Sequence, residues 1–489
     1  MSTMNRVKSF RLLVLTIWLG IFFGLFSFSC ATNPVSGKRE LMLLGEAQEI
    51  RLGKKTDAQI VKTYGVYDDP KLTAYIQDLG QRMGRLSHRP NLRFEFKILD
   101  SPVVNAFAVP GGYVYLTRGV LSYLNSEAEL ACVIGHEIGH VAARHSAKQY
   151  TRAQLTRLGF ELGGLLSETF RRYAGLIKPG VGLLFLRFSR DNERQADALG
   201  VEYATRAGFD ASQMANFFMT LQRLKPGADS RGLQGWFFTH PNPPERIRAV
   251  LRNAGLWQRK LHRRKFQVNH EAYLRKIDGL VFGEDPRQGY VDHGVFYHPG
   301  LKFEFPVPAD WKITNTPTEV RMVSKERDAA ILFVLAPGVS PADAAVKFIA
   351  RAGARLIKSE TVRVHGLPAR RLISEITGRS GAIRVISYFI KKEKQVFVFH
   401  GFTSAGCFQR YRPLFRATMD GFKEITDPKR INVKPDRIHI CRTRNTGSLK
   451  EALRAFGVPN DKLEETALLN GKRLTDLVPA GTLVKVVGK

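Results

Sequence analysis

The residues best suited to chemistry in this 489-residue chain are His136-Glu137-Ile138-Gly139-His140. A helix turns once per 3.6 residues, so His136 and His140 stand about 40° apart on one face. Both imidazoles can then reach one metal ion. Glu137 follows the first histidine and can sit beside a water on that metal without being a ligand.

Two later stretches add to this pair. Glu193-Arg194-Gln195-Ala196-Asp197 offers a carboxylate at Glu193, and two imidazoles plus one carboxylate are the ligand set of a catalytic zinc site. Asp197, one helical turn on, can accept the free N–H of a ligating histidine and fix its ring. Thr239-His240-Pro241-Asn242-Pro243-Pro244-Glu245-Arg246 follows. His240 or Arg246 near the metal could stabilise an oxyanion, and His240 could bind the metal when no substrate is present. A rival third ligand fails, because the metzincin continuation H-E-x-x-H-x-x-G-x-x-H meets Ala143 and Ser146 here. His145 falls about 140° round the helix from His140 and reads as a surface residue.

These side chains need elements to hold them. Ser126 followed by Glu129 reads as a capping box that starts the His136 helix, with Leu130, Val133, Ile134 and Val141 at helical spacing. Upstream, 45–80 reads as helix. Residues 92–99 alternate apolar and polar, 103–107 is extended, Pro110-Gly111-Gly112 turns, and 113–116 is a further strand. An exposed strand edge beside the metal could take a peptide in extended form, which makes Asn105, Ala106 and Phe107 the candidate substrate groove. Residues 158–186 are Gly-rich and apolar but interrupted by charges, so they read as packed helices or a lid rather than a membrane span.

Lys plus Arg exceed Asp plus Glu by 75 to 44, a formal charge of +31, which suits an anionic partner, although no nucleic-acid module is present. Arg6, Lys8 and Arg11 precede an uncharged apolar run over 12–28 that closes on Ser29-Cys30. This is the order of an export signal. A small residue before Cys30 resembles a bacterial lipobox, with Ser27 standing where lipoproteins usually carry Leu. The resemblance implies lipidation at Cys30 and, from Ala31, a place at the periplasmic face of the outer membrane. The alternative is an uncleaved inner-membrane anchor. Cys132 reads as a small buried residue, and Cys407 and Cys441 could pair.

The three motifs, in this order, resemble the zinc metallopeptidase family of CAAX prenyl endopeptidases and membrane heat-shock proteases. Asn105-Ala106-Phe107 and Ala31-Thr32-Asn33-Pro34-Val35-Ser36-Gly37 resemble its exported lipoprotein branch. The resemblance implies one zinc per chain, ligands His136, His140 and Glu193, base Glu137, supporting Asp197, and a site role for His240 and Arg246. It implies polypeptide substrates among unfolded or misassembled envelope proteins. A chaperone-like protein with a latent zinc site and a peptidoglycan cross-link peptidase are the alternatives.

The expected fold is α+β and multidomain. A signal peptide (1–29) precedes a mainly helical, gluzincin-type peptidase domain with a small sheet (30–262) and a linker (263–294). Residues 295–428 form strands with two helices around a mainly antiparallel sheet. His298-Pro299, Phe303 and Trp311 there resemble PsbP-like accessory domains. The tail (433–489) runs β-α-α-β, and Leu468-Leu469-Asn470-Gly471 resembles a LysM module, which implies peptidoglycan as a further partner. Asn445-Thr446-Gly447 replaces that module's usual Gly-Asp-Thr.

Overall fold

The computed structural model describes residues 30–163, 188–224, 235–240, 244–263, 265–336, 340–378 and 381–489. The apolar N-terminal run and most of the 158–186 stretch lie outside the described residues.

Strands β1 (Cys30–Thr32) and β2 (Arg39–Leu41) form a hairpin. Helices α1 (Glu46–Tyr64) and α2 (Pro70–Arg85) replace the single helical stretch expected over 45–80. The break has a local cause. Gly65 takes φ 72°, and Asp69 caps α2 by accepting the Leu72 N–H, with Pro70 opening the helix. Strands β3 (Glu95–Leu99), β4 (Ala106–Val109) and β5 (Tyr113–Thr117) lie in the order β3-β5-β4. β3 is parallel to β5 and β4 antiparallel, which leaves β4 at an edge.

Helix α3 (Arg118–Tyr123) leads to α4 (Glu127–Ala142), which carries the two histidines. Ser126 Oγ accepts the Glu129 N–H at 3.1 Å, and the Glu129 carboxylate accepts the Asn125 N–H at 2.7 Å, one residue outside the expected box. Every residue from Ala128 to Ala142 is buried. A helix buried on all sides is a core helix, and the rest of the N-terminal body packs around it.

Helices α5 (His145–Gly163), α6 (Arg190–Arg206), α7 (Gln213–Arg223), the single turn α8 (Trp236–Thr239) and α9 (Glu245–Lys260) complete that body. α6 crosses α4 at very close range because both present small residues. A Cβ on Gly200 would lie 2.8 Å from the His136 backbone nitrogen, and one on Gly139 would lie 3.1 Å from the Ala196 carbonyl oxygen. This contact carries the carboxylates of α6 to the histidines of α4.

Residues 263–294 are no spacer. They hold α10 (His270–Lys276), and Tyr273, Leu274, Ile277 and Leu280 join the same buried cluster as α4. The basic run at 259–265 masked these four apolar side chains in the sequence.

The accessory unit contains β6 (Tyr290–Asp292), β7 (Val295–His298), β8 (Phe303–Pro306), β9 (Lys312–Thr316), β10 (Glu319–Val323), β11 (Ala329–Ala336), α11 (Pro341–Ala352), β12 (Arg355–Val364), β13 (Leu367–Gly378), β14 (Gly381–Lys392), β15 (Gln395–Ser404), α12 (Phe408–Asp420) and β16 (Lys423–Glu424). The main sheet is antiparallel, in the order β12-β13-β14-β15-β11-β10-β9, and a smaller one runs β16-β8-β7-β6. Phe303, Phe305, Phe333, Phe397, Phe399 and Phe422 fill the core between them.

After the single turn α13 (Pro428–Ile431) comes the tail: β17 (Arg437–Arg442), β18 (Gly447–Ser448), α14 (Leu449–Ala455), α15 (Leu463–Leu469), β19 (Leu477–Val478) and β20 (Leu483–Gly488). The expected β-α-α-β order is present with two further two-residue strands, β18 and β19, inserted between, but the expected independence is not. Ile438 and Leu483 belong to the α4 core cluster, and Ile438 exchanges backbone hydrogen bonds with Gly279 and Leu280. Lys485 is fully buried and donates through Nζ to the carbonyls of Ser122 and Leu124, at 2.7 and 2.8 Å. Cys132 is buried as expected, and Cys407 and Cys441 are both free thiols, so the considered pairing is absent.

Candidate metal centre

α4 supplies His136 and His140, α6 supplies Glu193, and the residue after α8 supplies His240. One ligand atom from each lies within 4.8 Å of the others, and all four residues are buried. His140 Nε2 is 3.0 Å from His136 Nε2, and His136 Nε2 is 3.3 Å from His240 Nδ1. His240 Nδ1 is 3.0 Å from Glu193 Oε1, and His140 Nε2 is 3.4 Å from the same oxygen. Four donors about 2.0–2.1 Å from a common zinc would sit roughly 3.3 Å apart. The observed separations therefore fit that ion.

Three of the four donors, His136, Glu193 and His140, are held from behind. His136 Nδ1 lies 3.0 Å from Asp197 Oδ1, which leaves Nε2 free to face the cluster. Arg246 clasps Asp197 through Nε and Nη2, both at 2.7 Å, and reaches Glu193 Oε2 through Nη1 at 3.0 Å. Its guanidinium also lies over the Phe218 ring, 4.6 Å from the centroid. The sequence offered Arg246 as an oxyanion group, whereas here it faces two carboxylates of the protein.

His145 is the larger departure. It is buried, with Nδ1 3.0 Å from His140 Nδ1 and Nε2 2.9 Å from Gln195 Oε1. The surface reading assumed one continuous helix. α4 stops at Ala142, Arg144 takes φ 56°, and a new helix starts at His145, which swings the ring back. A proton on His140 Nδ1 and one on His145 Nε2 complete this chain and leave His140 Nε2 as a lone pair. Gln195 was not singled out from the sequence, nor was Phe188, which stacks on His140 at 4.0 Å, nor Trp236, 4.5 Å from the His240 ring. The one available signal for Gln195 was its place inside the Glu193–Asp197 motif.

Burial and neighbouring charge set the electrostatics. Burial pushes the His140 imidazole well below its usual range, and burial pushes the Glu137 carboxyl up. Burial alone would raise Glu193, but the facing His240 charge and hydrogen bonds from His140 and His240 hold it well below the carboxylate range. Burial opposes a charge on His240, yet Glu193 and Glu137 raise it. Glu137 is fully buried, and neither carboxylate oxygen has a hydrogen-bond partner among the described residues. His240 Nε2 stands 3.6 Å from Glu137 Oε1. A carboxylate left uncommitted beside four converging donors is what a metal-assisted proton transfer requires.

Residues 70–254 match the model of Peptidase family M48. The M48 stretch holds all four donors and Glu137. Among relatives, the beta-barrel assembly-enhancing protease of Escherichia coli (strain K12) is 31% identical over 264 residues, covering 52% of this chain and 53% of that protein. The mitochondrial metalloendopeptidase OMA1 of Schizosaccharomyces pombe is 30% identical over 229 residues, covering 44% of this chain and 64% of that protein. The chain thus spans about half the length of the first of these relatives. Among solved structures, cyanobacterial PsbP from Synechocystis sp. shares 15% identity and covers 28% of this chain and 91% of its own, with a TM-score of 0.23, too low to carry an argument.

The other expected site residues lie nearby or apart. Ala106 and Phe107 are in β4, which packs on α4, and Asn105 precedes it; all three are buried. Phe107 stacks on Tyr115 at 4.9 Å. Ser146 Oγ donates to the Ala108 carbonyl at 3.2 Å on this strand. Cys30 begins β1.

Proposed function

We propose that this chain is a zinc-dependent endopeptidase of the bacterial cell envelope that cleaves unfolded or misassembled envelope proteins. The observation that carries the reading is the convergence of His136, His140, Glu193 and His240 around one point, with Glu137 beside it and uncommitted. The M48 match and the metalloendopeptidase relatives support it. When bound there, zinc acidifies a water and polarises the scissile carbonyl.

The chain's own residues do the rest. Glu137 takes a proton from the attacking water and delivers it to the leaving amine nitrogen, and its upward shift by burial suits that task. His136, His140 and Glu193 hold the metal. Asp197 fixes the His136 tautomer, and Arg246 positions Asp197 and Glu193 rather than touching substrate. His240, with Nδ1 3.0 Å from Glu193 Oε1, would be a further donor to a bound zinc, and when not so engaged it could face the oxyanion. Asn105, Ala106 and Phe107 stay the candidate groove, but all three are buried rather than on an exposed edge, so an extended peptide would add along β4 only once that edge is uncovered.

Attachment at Cys30 to the periplasmic face of the outer membrane is part of the proposal, supported by the signal-like N-terminus and by the beta-barrel assembly named for the Escherichia coli relative. An inner-membrane anchor is the alternative placement. The βααβ order supports the LysM-like reading of the tail, and peptidoglycan contact there remains part of the proposal.

Glu137→Gln is the test. Casein cleavage by the zinc-loaded chain should fall about 10²–10⁴-fold while bound zinc, measured after dialysis, stays at one per chain. Unchanged cleavage would overturn the mechanism. No turnover by the parent chain at any metal load would favour a chaperone-like role, and release of muropeptides from peptidoglycan would redirect the substrate class.

A further inference from the structure

We infer that the N-terminal hairpin mounts the metal centre directly on the membrane, and so restricts its substrates to polypeptide segments lying at the membrane surface. This deepens the proposed function and rests on membrane attachment at Cys30.

The hairpin is pinned rather than tethered. In it Cys30 opposes Leu41, Ala31 opposes Glu40 and Thr32 opposes Arg39. Asn33, at its turn, is buried, and Nδ2 donates to the Ala143 carbonyl at 3.3 Å. Its Oδ1 accepts the N–H groups of Val35 and Ser36, at 2.9 and 3.3 Å, which locks the turn. Val35 packs on the α4 core cluster. On the return strand, Glu40 pairs with Lys148 at 3.2 Å, and Met42 is buried. The Leu43 N–H donates to Thr151 Oγ1 at 3.0 Å, and Arg144 Nη2 donates to the Leu44 carbonyl at 2.8 Å. Apart from the two bonds inside the turn, these side-chain bonds join the hairpin to Ala143, to Arg144, and to Lys148 and Thr151 of α5.

Ala143 closes the helix that carries His140. Three Cα-to-Cα steps lead from Cys30 to Asn33, and each spans at most about 3.5 Å. Adding the Asn33 side chain and one turn of helix places the Cys30 Cα within about 25 Å of the His140 Cα. A flexible linker of 40 residues would by itself wander about 35 Å. Here the described chain leaves no such slack between Cys30 and the site.

The outer face of the hairpin suits a bilayer. Side chains alternate along a strand, so Glu40 and Met42 turn inward while Arg39, Leu41 and Leu43 turn outward. Leu41 and Leu43 are 40% and 38% exposed, and Ile50 on α1 is 40% exposed beside exposed Arg51 and Lys54. Leucines flanked by cations, on the segment that leaves the attachment point, fit the headgroup boundary of an anionic phospholipid bilayer.

The test uses the full chain in vesicles of phosphatidylethanolamine and phosphatidylglycerol. Two membrane-anchored reporters carry the same unfolded cleavable segment, one next to the bilayer and one on a rigid helical spacer of about 70 residues, roughly 100 Å long. The parent chain should cut the near reporter at least tenfold faster. Inserting about 40 Gly/Ser residues between Cys30 and Ala31 should abolish that preference and leave cleavage of soluble casein unchanged. Independently, energy transfer to labelled lipid headgroups from a dye at Lys38→Cys, in a Cys407→Ser/Cys441→Ser background, should drop severalfold on insertion. A membrane-bound chain with equal cutting of both reporters and unchanged transfer would overturn the mount alone. Release of the parent chain from the vesicles would overturn the attachment and the mount together. If casein and both reporters stay intact, the peptidase reading falls, and the transfer measurement still decides the mount.

Discussion

The core around α4 and the core of the accessory sheet bury side chains of opposite character. Around α4 the interior holds His136, Glu137, His140, Glu193, Asp197, His240 and Arg246, each at most 2% exposed. Between the accessory sheets it holds phenylalanine rings whose centroids lie 4.6–6.2 Å apart, as for Phe333 with Phe399 and Phe422. A buried charge is tolerated only with a partner, so the first core depends on specific pairs. The second depends on volume, and aromatic packing has no single essential contact. One core is therefore brittle and chemically competent, and the other is a scaffold.

Four substitutions or conditions break or sharpen this contrast. Arg246→Met should be the most damaging, because it strips the cation from two buried carboxylates. About 3–5 kcal/mol of stability should go, seen in denaturant unfolding of the metal-free chain. Zinc affinity should fall about 10–100-fold in a competitive chelator titration, with partial rescue in Arg246→Lys.

Phe303→Ala should cost a comparable 3–5 kcal/mol through its cavity. Below the melting temperature of the accessory unit, casein cleavage and zinc affinity should stay unchanged. If both drop, the two cores are one cooperative unit and the contrast fails.

Lys485→Met lies between the two cases. It leaves the Ser122 and Leu124 carbonyls without their buried donor, just before the cap of α4. A loss of about 2–4 kcal/mol is expected, together with faster amide exchange over 122–130. Unchanged exchange there would mean that the tail merely rests on the peptidase body.

The smallest effect is a pH slope in the accessory unit. Burial holds His400 and His298 down at about 4, below the unfolded value. The unfolded chain takes up protons first as pH falls. Stability is thus intact above about pH 6.5 and lost progressively toward pH 4, by up to about 3 kcal/mol per histidine. Thermal unfolding at pH 7.5 and 4.5 measures this, and His400→Phe should flatten the slope.

Much of both cores was legible in the chain. Phe303 and Phe305 alternate with polar neighbours, as a strand with one buried face must, and β14 and β15 form the expected hairpin. Ser126 announced α4, and the His136/His140 spacing and the Glu193/Asp197 motif gave the residues that now converge. What escaped was of two kinds. Gly65 and Asp69-Pro70 are breaks that helical periodicity alone runs over. The apolar residues of α10 are few and sit among charges, so 263–294 read as linker, and nothing in the apolar run of β20 tells that Leu483 packs on the α4 cluster, so 433–489 read as a separate module.

By itself the sequence determined the donor types, their spacing along each helix, the caps and the strand pattern, because all of these act within a few residues. Only the tertiary structure decided which way Arg246 points, that His145 backs His140, and that Lys485 and Asn33 hold the two ends of α4. Each depends on a backbone break or on a contact between segments tens to hundreds of residues apart. Local preference carries no information about such contacts until the core that joins them has formed.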